Sequence, residues 1–182
     1  MILKKILPCV MLISTAINAQ KYIPADEGSK IHFTIKNFGI KTGGDLSGLK
    51  GEIYLFTSDL AACRFNVSVD ASTVDTDNGS RDSHLKGSEY FDVEKFPVIS
   101  ITSTRIDKTN KTERGFYYFN GDLTMRGITK ALAFPFHIEK INDDYLFTAD
   151  FQIDRLDFGV GDKSAVLSST VNVSLSVLAK KS

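Results

Sequence analysis

Arg81, Asp82 and His84 place a guanidinium, a carboxylate and an imidazole within four residues, followed by Tyr90, Phe91 and Phe96 and closed by Pro97. Such a group has two readings: a surface ion pair worth about 0–1 kcal/mol, or a polar cluster that orients the head of a ligand. Arg155, in IDRLDFG, has the same two readings. Nothing nearby completes a catalytic or metal site. His32, His84 and His137 lie far apart, match no zinc-type spacing and read as solvated histidines. Cys63 has no flanking base and sits on the apolar parity of its segment, as a buried structural cysteine does. There is no Gly-x-Ser-x-Gly elbow, and Gly39, Gly43 and Gly44 do not form a phosphate-binding loop before a helix. Asp143–Asp144 falls in a turn and reads as solvated.

The elements that must carry these residues are strands. Ile31, Phe33 and Ile35 alternate with polar neighbours, as do Ile53 and Leu55, and then Cys63, Phe65, Val67 and Val69. The same period of two returns through Ile99 and Ile101, through Tyr117 to Met125, and through Leu132 to Ile138. It returns again through Tyr145 to Ile153 and through Val171 to Val177. Four glycines between Lys41 and Gly51 suit bulges or a sharp bend. Asp77–Asn78–Gly79 and Asn142–Asp143–Asp144 are turn signals, and Lys108 to Gly115 reads as a long hairpin tip. About eight short one-sided strands predict an antiparallel sandwich or closed barrel. One stretch breaks the pattern: Asp82 to Glu94 predicts one or two short helical turns, capped by Asp82 or Ser83 and weakened by Gly87.

Residues 1–19 read as a secretory signal. Lys4 and Lys5 precede an apolar run from Ile6 to Ile13, too short to span a bilayer, and Ala19 marks a cut that makes Gln20 the mature start. Cys9 lacks the small neighbours of a lipid-attachment site. The full chain balances 22 basic and 22 acidic residues, so removal of Lys4 and Lys5 leaves the mature domain slightly acidic. That argues against a nucleic-acid partner and against attachment to anionic lipid by a polybasic patch. Only Cys63 survives cleavage, so no internal disulfide staples residues 20–182, and one sizeable core must stabilise a single domain. Phe33, Phe65, Phe119, Phe134, Phe136, Phe147 and Phe151 all fall on apolar strand faces. They read either as a packed core or as the wall of a cavity for an apolar ligand, since an eight-stranded barrel is just wide enough for either. Patterning alone favours the packed core.

Several ordered motifs resemble the YceI-like polyisoprenoid-binding family. They run from Ser29-x-Ile31-x-Phe33-x-Ile35 and Phe38-Gly39-Ile40 through Ser72-x-Val74-Asp75-Thr76 to Arg81-Asp82-x-His84-Leu85. They continue with Tyr90-Phe91-Asp92-Val93, Gly121-Asp122-Leu123-Thr124, Arg126-Gly127-Ile128-Thr129-Lys130 and Asp154-Arg155-x-Asp157-Phe158-Gly159. The resemblance implies an all-β fold: a lipocalin-like extended antiparallel barrel of eight strands with one or two short helical segments. It implies non-enzymatic binding, storage or transport of a polyisoprenoid or similar long-chain amphiphile, usually outside the cytoplasm, and hence a periplasmic home in a cell with two membranes. No cofactor is expected beyond a bound isoprenoid lipid or isoprenoid quinone, no integral span remains after signal cleavage, and a homodimer is left open. The expected cavity wall comprises Phe33, Ile35, Leu46, Leu49, Ile53, Val67 and Phe91, together with Ile101, Phe119, Phe134, Phe136, Phe147, Phe151 and Val173. The expected head contacts are Arg81, Asp82, His84 and Arg155. Leu46, Leu49 and Ile101 stand where the family often has phenylalanine, which would reshape the cavity. Two alternatives stay open: a cell-envelope enzyme acting on an isoprenoid or quinone, and a protein-interaction module with a filled barrel.

Overall fold

The computed structural model describes residues 20–56, 59–109 and 115–182; the expected signal segment and the middle of the expected Lys108–Gly115 hairpin tip lie outside them. The alternating runs form eight strands: β1 (Gln20–Asn37), β2 (Ile40–Leu55), β3 (Arg64–Asp75), β4 (Val98–Lys108), β5 (Phe116–Met125), β6 (Ile128–Ile141), β7 (Asp144–Asp154) and β8 (Leu167–Lys181). Each pairs antiparallel with the next, and β8 returns to β1, so the sheet closes into a barrel. The seam runs from Tyr22↔Lys181 to Asn37↔Leu167.

Closure requires bending, and the bends have visible causes. In β1 the register slips between Tyr22 and Ile31 against β2 and between Ala25 and Lys30 against β8. Side chains replace the missing ladder bonds there: Asp26 accepts from the Gly48 and Leu49 amides, and Ser29 Oγ accepts from the Leu178 amide at 2.8 Å. Two glycines make room for rings. A Cβ on Gly44 would sit 2.8 Å from the Phe33 ring, and one on Gly121 would sit 2.7 Å from the Phe119 ring and 2.2 Å from a β4 carbonyl. The β6–β7 ladder is short: it runs from Ile141↔Asp144 to His137↔Thr148 and stops. Beyond it Phe134 and Phe151 stack across the diverging strands, 4.3 Å apart and 14° from parallel.

One α-helix, α1 (Gly79–Lys86), follows β3. It starts earlier than the sequence predicts. Asn78, read as a turn residue, is the cap and accepts from the Arg81 amide, and Gly87 ends the helix at the position where it had been expected to lie inside one. The predicted turns up to Glu94 are non-helical: the chain after Gly87 winds through successive tight turns to Pro97. Short 3-10 turns occupy Leu60–Ala62 and Arg155–Phe158.

The core sits at the end of the barrel that holds the start of β1 and the finish of β8. Phe65 lies 5.7 Å from Phe136 and 5.5 Å from Phe147, both edge to face, and Tyr22 meets Tyr145 in the same way at 5.0 Å. Such pairs add about 0.5–1.5 kcal/mol beyond their buried area. Cys63 is fully buried beneath the Leu60–Ala62 turn, and burial raises its thiol above the ordinary range. It is a core residue and not a reactive thiolate.

Candidate functional site: a half-hollow bore with a polar mouth

The opposite end of the barrel is hollow. A cavity of about 590 Å³ occupies it, within the range of roughly 300–1,000 Å³ that small-molecule sites occupy. Its wall is mostly aliphatic: Ile31, Ile35, Leu46, Val67, Ile101 and Val173 contribute, with Phe33, Phe91 and Phe151 as the aromatic members. These side chains are only half-buried because one face of each looks into the void.

Of the residues expected to line a cavity, Phe33, Ile35, Leu46, Leu49, Val67, Phe91, Ile101, Phe151 and Val173 do so. Ile53, Phe119, Phe134, Phe136 and Phe147 do not. They have the inward parity but sit lower in the barrel, where they are at most 7% exposed and pack on one another. A closed ring of strands leaves no gap where four phenyl rings converge on its axis, so these five form the floor. Phe134 links floor and wall, stacked on Phe119 at 4.8 Å and on Phe151 at 4.3 Å.

Polar groups gather at the mouth. Thr76, buried at the end of β3, donates from its amide and its hydroxyl to the Asp82 carboxylate at 2.9 and 2.5 Å. Its hydroxyl accepts from Arg81 Nε at 2.8 Å and its carbonyl from Arg81 Nη2 at 2.5 Å. This network pins α1 across the opening. Arg81 and His84 line the cavity; Asp82 does not, because both its hydrogen bonds turn it towards Thr76. Asp82 therefore positions Arg81 and does not itself face the cavity. His84 lies 3.6 Å from Glu89 and edge-on to the Tyr90 ring at 4.9 Å.

Arg155 also reaches the cavity, but it is 4% exposed and heavily engaged. Its guanidinium donates to the carbonyls of Ser168, Val160 and Asp162 at 2.9, 2.6 and 2.8 Å. No carboxylate pairs with it among the described residues. It clamps the chain between the Arg155–Phe158 turn and β8. Arg126, which the sequence offered as part of a motif but not as a site residue, works similarly from the β5–β6 turn: it donates to the Gly159 and Ser88 carbonyls and so ties the segment after α1 to the segment after β7. Its place beside a glycine at a hairpin tip was visible, but only the fold reveals what it reaches. Thr76 belongs to the Ser72-x-Val74-Asp75-Thr76 motif, but the motif gave it no role, and only the fold shows that it joins Arg81 to Asp82. Among the described residues, the cavity wall holds no aspartate, glutamate or cysteine.

A closed antiparallel barrel with a packed floor, an apolar bore and a polar rim defines a barrel binding protein. The YceI-like domain profile matches residues 22–179, and the chain belongs to that family. A UPF0312 protein of Shewanella oneidensis is 28% identical over 172 residues, covering 89% of this chain and 88% of its own. Among solved structures, BcnA of Burkholderia cenocepacia is similar with a TM-score of 0.80 at 17% identity, covering 86% of this chain and 99% of its own. A polyisoprenoid binding domain from Saccharophagus degradans, implicated in plant cell wall breakdown, is similar with a TM-score of 0.70 at 12% identity, covering 91% and 100%. At these identities the likeness to the two structures is one of fold.

Proposed function

We propose that the hollow half of the barrel takes up the apolar tail of a long-chain isoprenoid lipid or isoprenoid quinone, with the polar head held at the mouth near Arg81 and His84. The protein stores or carries that lipid outside the cytoplasm and does no chemistry on it. The observation that carries this reading is the cavity of about 590 Å³, apolar along its wall and polar at its mouth. The binding named for the Saccharophagus degradans domain supports it, as does the secretory pattern of residues 1–19. The described wall is mostly apolar, with the acid–base group His84 confined to the mouth, and that distribution favours binding over catalysis within the bore; an unfilled bore disfavours a module that merely presents a packed barrel.

The energetics suit a tail-driven site. Each buried methylene contributes about 0.8 kcal/mol in transfer terms, against an association cost of roughly 4–15 kcal/mol. A few isoprene units therefore suffice, and a head contact adds only about 1–3 kcal/mol. The floor sets a limit: affinity rises with tail length until the tail meets Phe134 and Phe119, and then levels off. Solvent extraction and mass spectrometry of the purified mature protein, followed by calorimetric titration with isoprenols of increasing length, test this. Co-purified isoprenoid and a plateau are expected. An empty protein that takes up no isoprenol of any length overturns the proposal, and turnover of a bound lipid to a new mass would replace it with the enzymatic reading.

A further inference from the structure

Three turns in the barrel place a non-glycine residue at positive φ between hydrogen-bonded strands: Phe38, Arg126 and Asn142. Asparagine tolerates that conformation by its short polar side chain. Arg126 is held there by its bonds to the Gly159 and Ser88 carbonyls. Phe38 has neither reason. Phe38 is 74% exposed, Ile40 two residues on is 70% exposed, and every other exposed large apolar residue among the described residues is at 50% or below. The space around Gly39, between them, is empty. The two-residue turn closed by Asn37 and Ile40 demands the positive φ, but it does not demand an aromatic residue there, and the Phe38 side chain faces solvent.

The position of this hairpin matters. Its tip is fixed to the rim of the mouth, beside the start of β8, by the Phe38 amide donating to the Val166 carbonyl at 2.9 Å. Asn37 and Thr42, at its base, line the cavity. Lys36 and Lys41 face each other directly across the two strands just below the tip. Like charges so placed repel, and neither lysine has an ion-pair partner among the described residues. The tip therefore combines an aromatic ring and a branched aliphatic side chain with two unpaired cations behind them. That is the order in which a bilayer presents its own chemistry: acyl chains inside, anionic phosphates outside.

We propose that the β1–β2 hairpin is a membrane-docking tip: Phe38 and Ile40 insert at the surface of an anionic bilayer, Lys36 and Lys41 meet the phosphates, and the mouth is thereby held at the lipid from which the barrel loads. The contact is weak and reversible, because two cations and two apolar side chains fall short of a stable anchor. It rests on the binding reading given above, but it fails or stands separately from it.

The test compares the mature chain, residues 20–182, with Phe38→Asn, with the double variant Lys36→Glu, Lys41→Glu, and with Ile141→Ser. Phe38→Asn is chosen because asparagine suits the positive φ, so loss of docking cannot be ascribed to misfolding. Ile141→Ser removes an exposed apolar side chain at the opposite end. Two readouts are needed: co-sedimentation with vesicles of phosphatidylglycerol and phosphatidylethanolamine, and calorimetric uptake of farnesol from vesicle-free solution. Docking predicts that Phe38→Asn and the double variant each lower vesicle affinity about tenfold, that Ile141→Ser leaves it unchanged, and that farnesol uptake is the same in all four proteins. High salt should weaken wild-type vesicle binding. Wild-type protein that does not co-sediment, or vesicle binding indifferent to Phe38, overturns the docking proposal. So does a wild-type dimer that Phe38→Asn converts to monomer without touching vesicle affinity, which would make the tip a contact between two copies. Phe38-dependent vesicle binding with no farnesol uptake would instead keep the docking and discard the ligand.

Discussion

On two strands the same inward parity carries different side chains at the two ends of the bore. β3 places Phe65 at the closed end and Val67 and Val69 towards the mouth; β5 places Phe119 below Leu123 and Met125. An eight-stranded barrel is narrow enough that side chains of the right size fill it. Phenyl rings reach the axis and meet, whereas valine and leucine leave it open. On these two strands side-chain size separates floor from cavity; Phe33 and Phe151 keep phenyl rings at the level of the wall, where their neighbours are mostly aliphatic and the axis stays open.

The largest test of that contrast is truncation. Phe119→Ala removes one of the largest fully buried side chains and should cost about 3–5 kcal/mol in urea unfolding. Val173→Ala, on the cavity wall, should cost only about 1 kcal/mol, because no enclosed hole is created where one face already looks into a void. Equal losses would mean the wall is as tightly packed as the floor. Enlargement reverses the roles. Ala179→Leu, in the fully buried closed end, should destabilise by about 1–3 kcal/mol. Val173→Phe should leave the unfolding midpoint nearly unchanged while lowering isoprenol uptake about tenfold in titration calorimetry.

These contrasts also mark what could be read in advance. Alternation exposed the strands, and it correctly turned Phe33, Phe119 and Phe134 inward. It could not assign their height. Height depends on stagger, and stagger is set by the slips at Tyr22/Ile31 and Ala25/Lys30, where Asp26 and Ser29 substitute for backbone partners. Parity is a local property, whereas register in a closed sheet accumulates around the whole ring. The helix boundary failed for a different reason: Asn78 suits a turn and a cap equally well, and only its bond to the Arg81 amide decides between them. Arg81 and His84 were legible as a cluster, but the role of Asp82 required Thr76, six residues earlier.

A smaller effect is expected at the mouth. Asp82→Ala removes both acceptor bonds to Thr76 and should cost about 1–3 kcal/mol, with amide exchange accelerating in Gly79–Lys86 before the strands at the closed end are affected. Uniform acceleration throughout would show that α1 is not a separable lid. The smallest effect is electrostatic and belongs to the closed end. Hydrogen bonding to Lys21 holds the Glu52 carboxyl below the usual range, and Lys180 does the same for Glu27. A depressed carboxylate stabilises the fold above its ordinary range, and that contribution is lost as pH falls through the lowered value. A slight decline in Tm below about pH 5 is therefore expected, reduced in Lys21→Met and in high salt. Unchanged decline in Lys21→Met would place its source elsewhere.

The seam that joins β1 to β8 has a practical corollary. Tyr22 and Lys181 are paired neighbours, and the Ser182 amide donates to the Lys21 carbonyl, at the floor and not at the mouth. A tether or reporter fused at either flank of the domain would emerge on the side facing away from the cavity. Immobilised through such a handle, the molecule would stand upright on a sensor with its opening free, so cargo capture could be recorded without steric interference from the support.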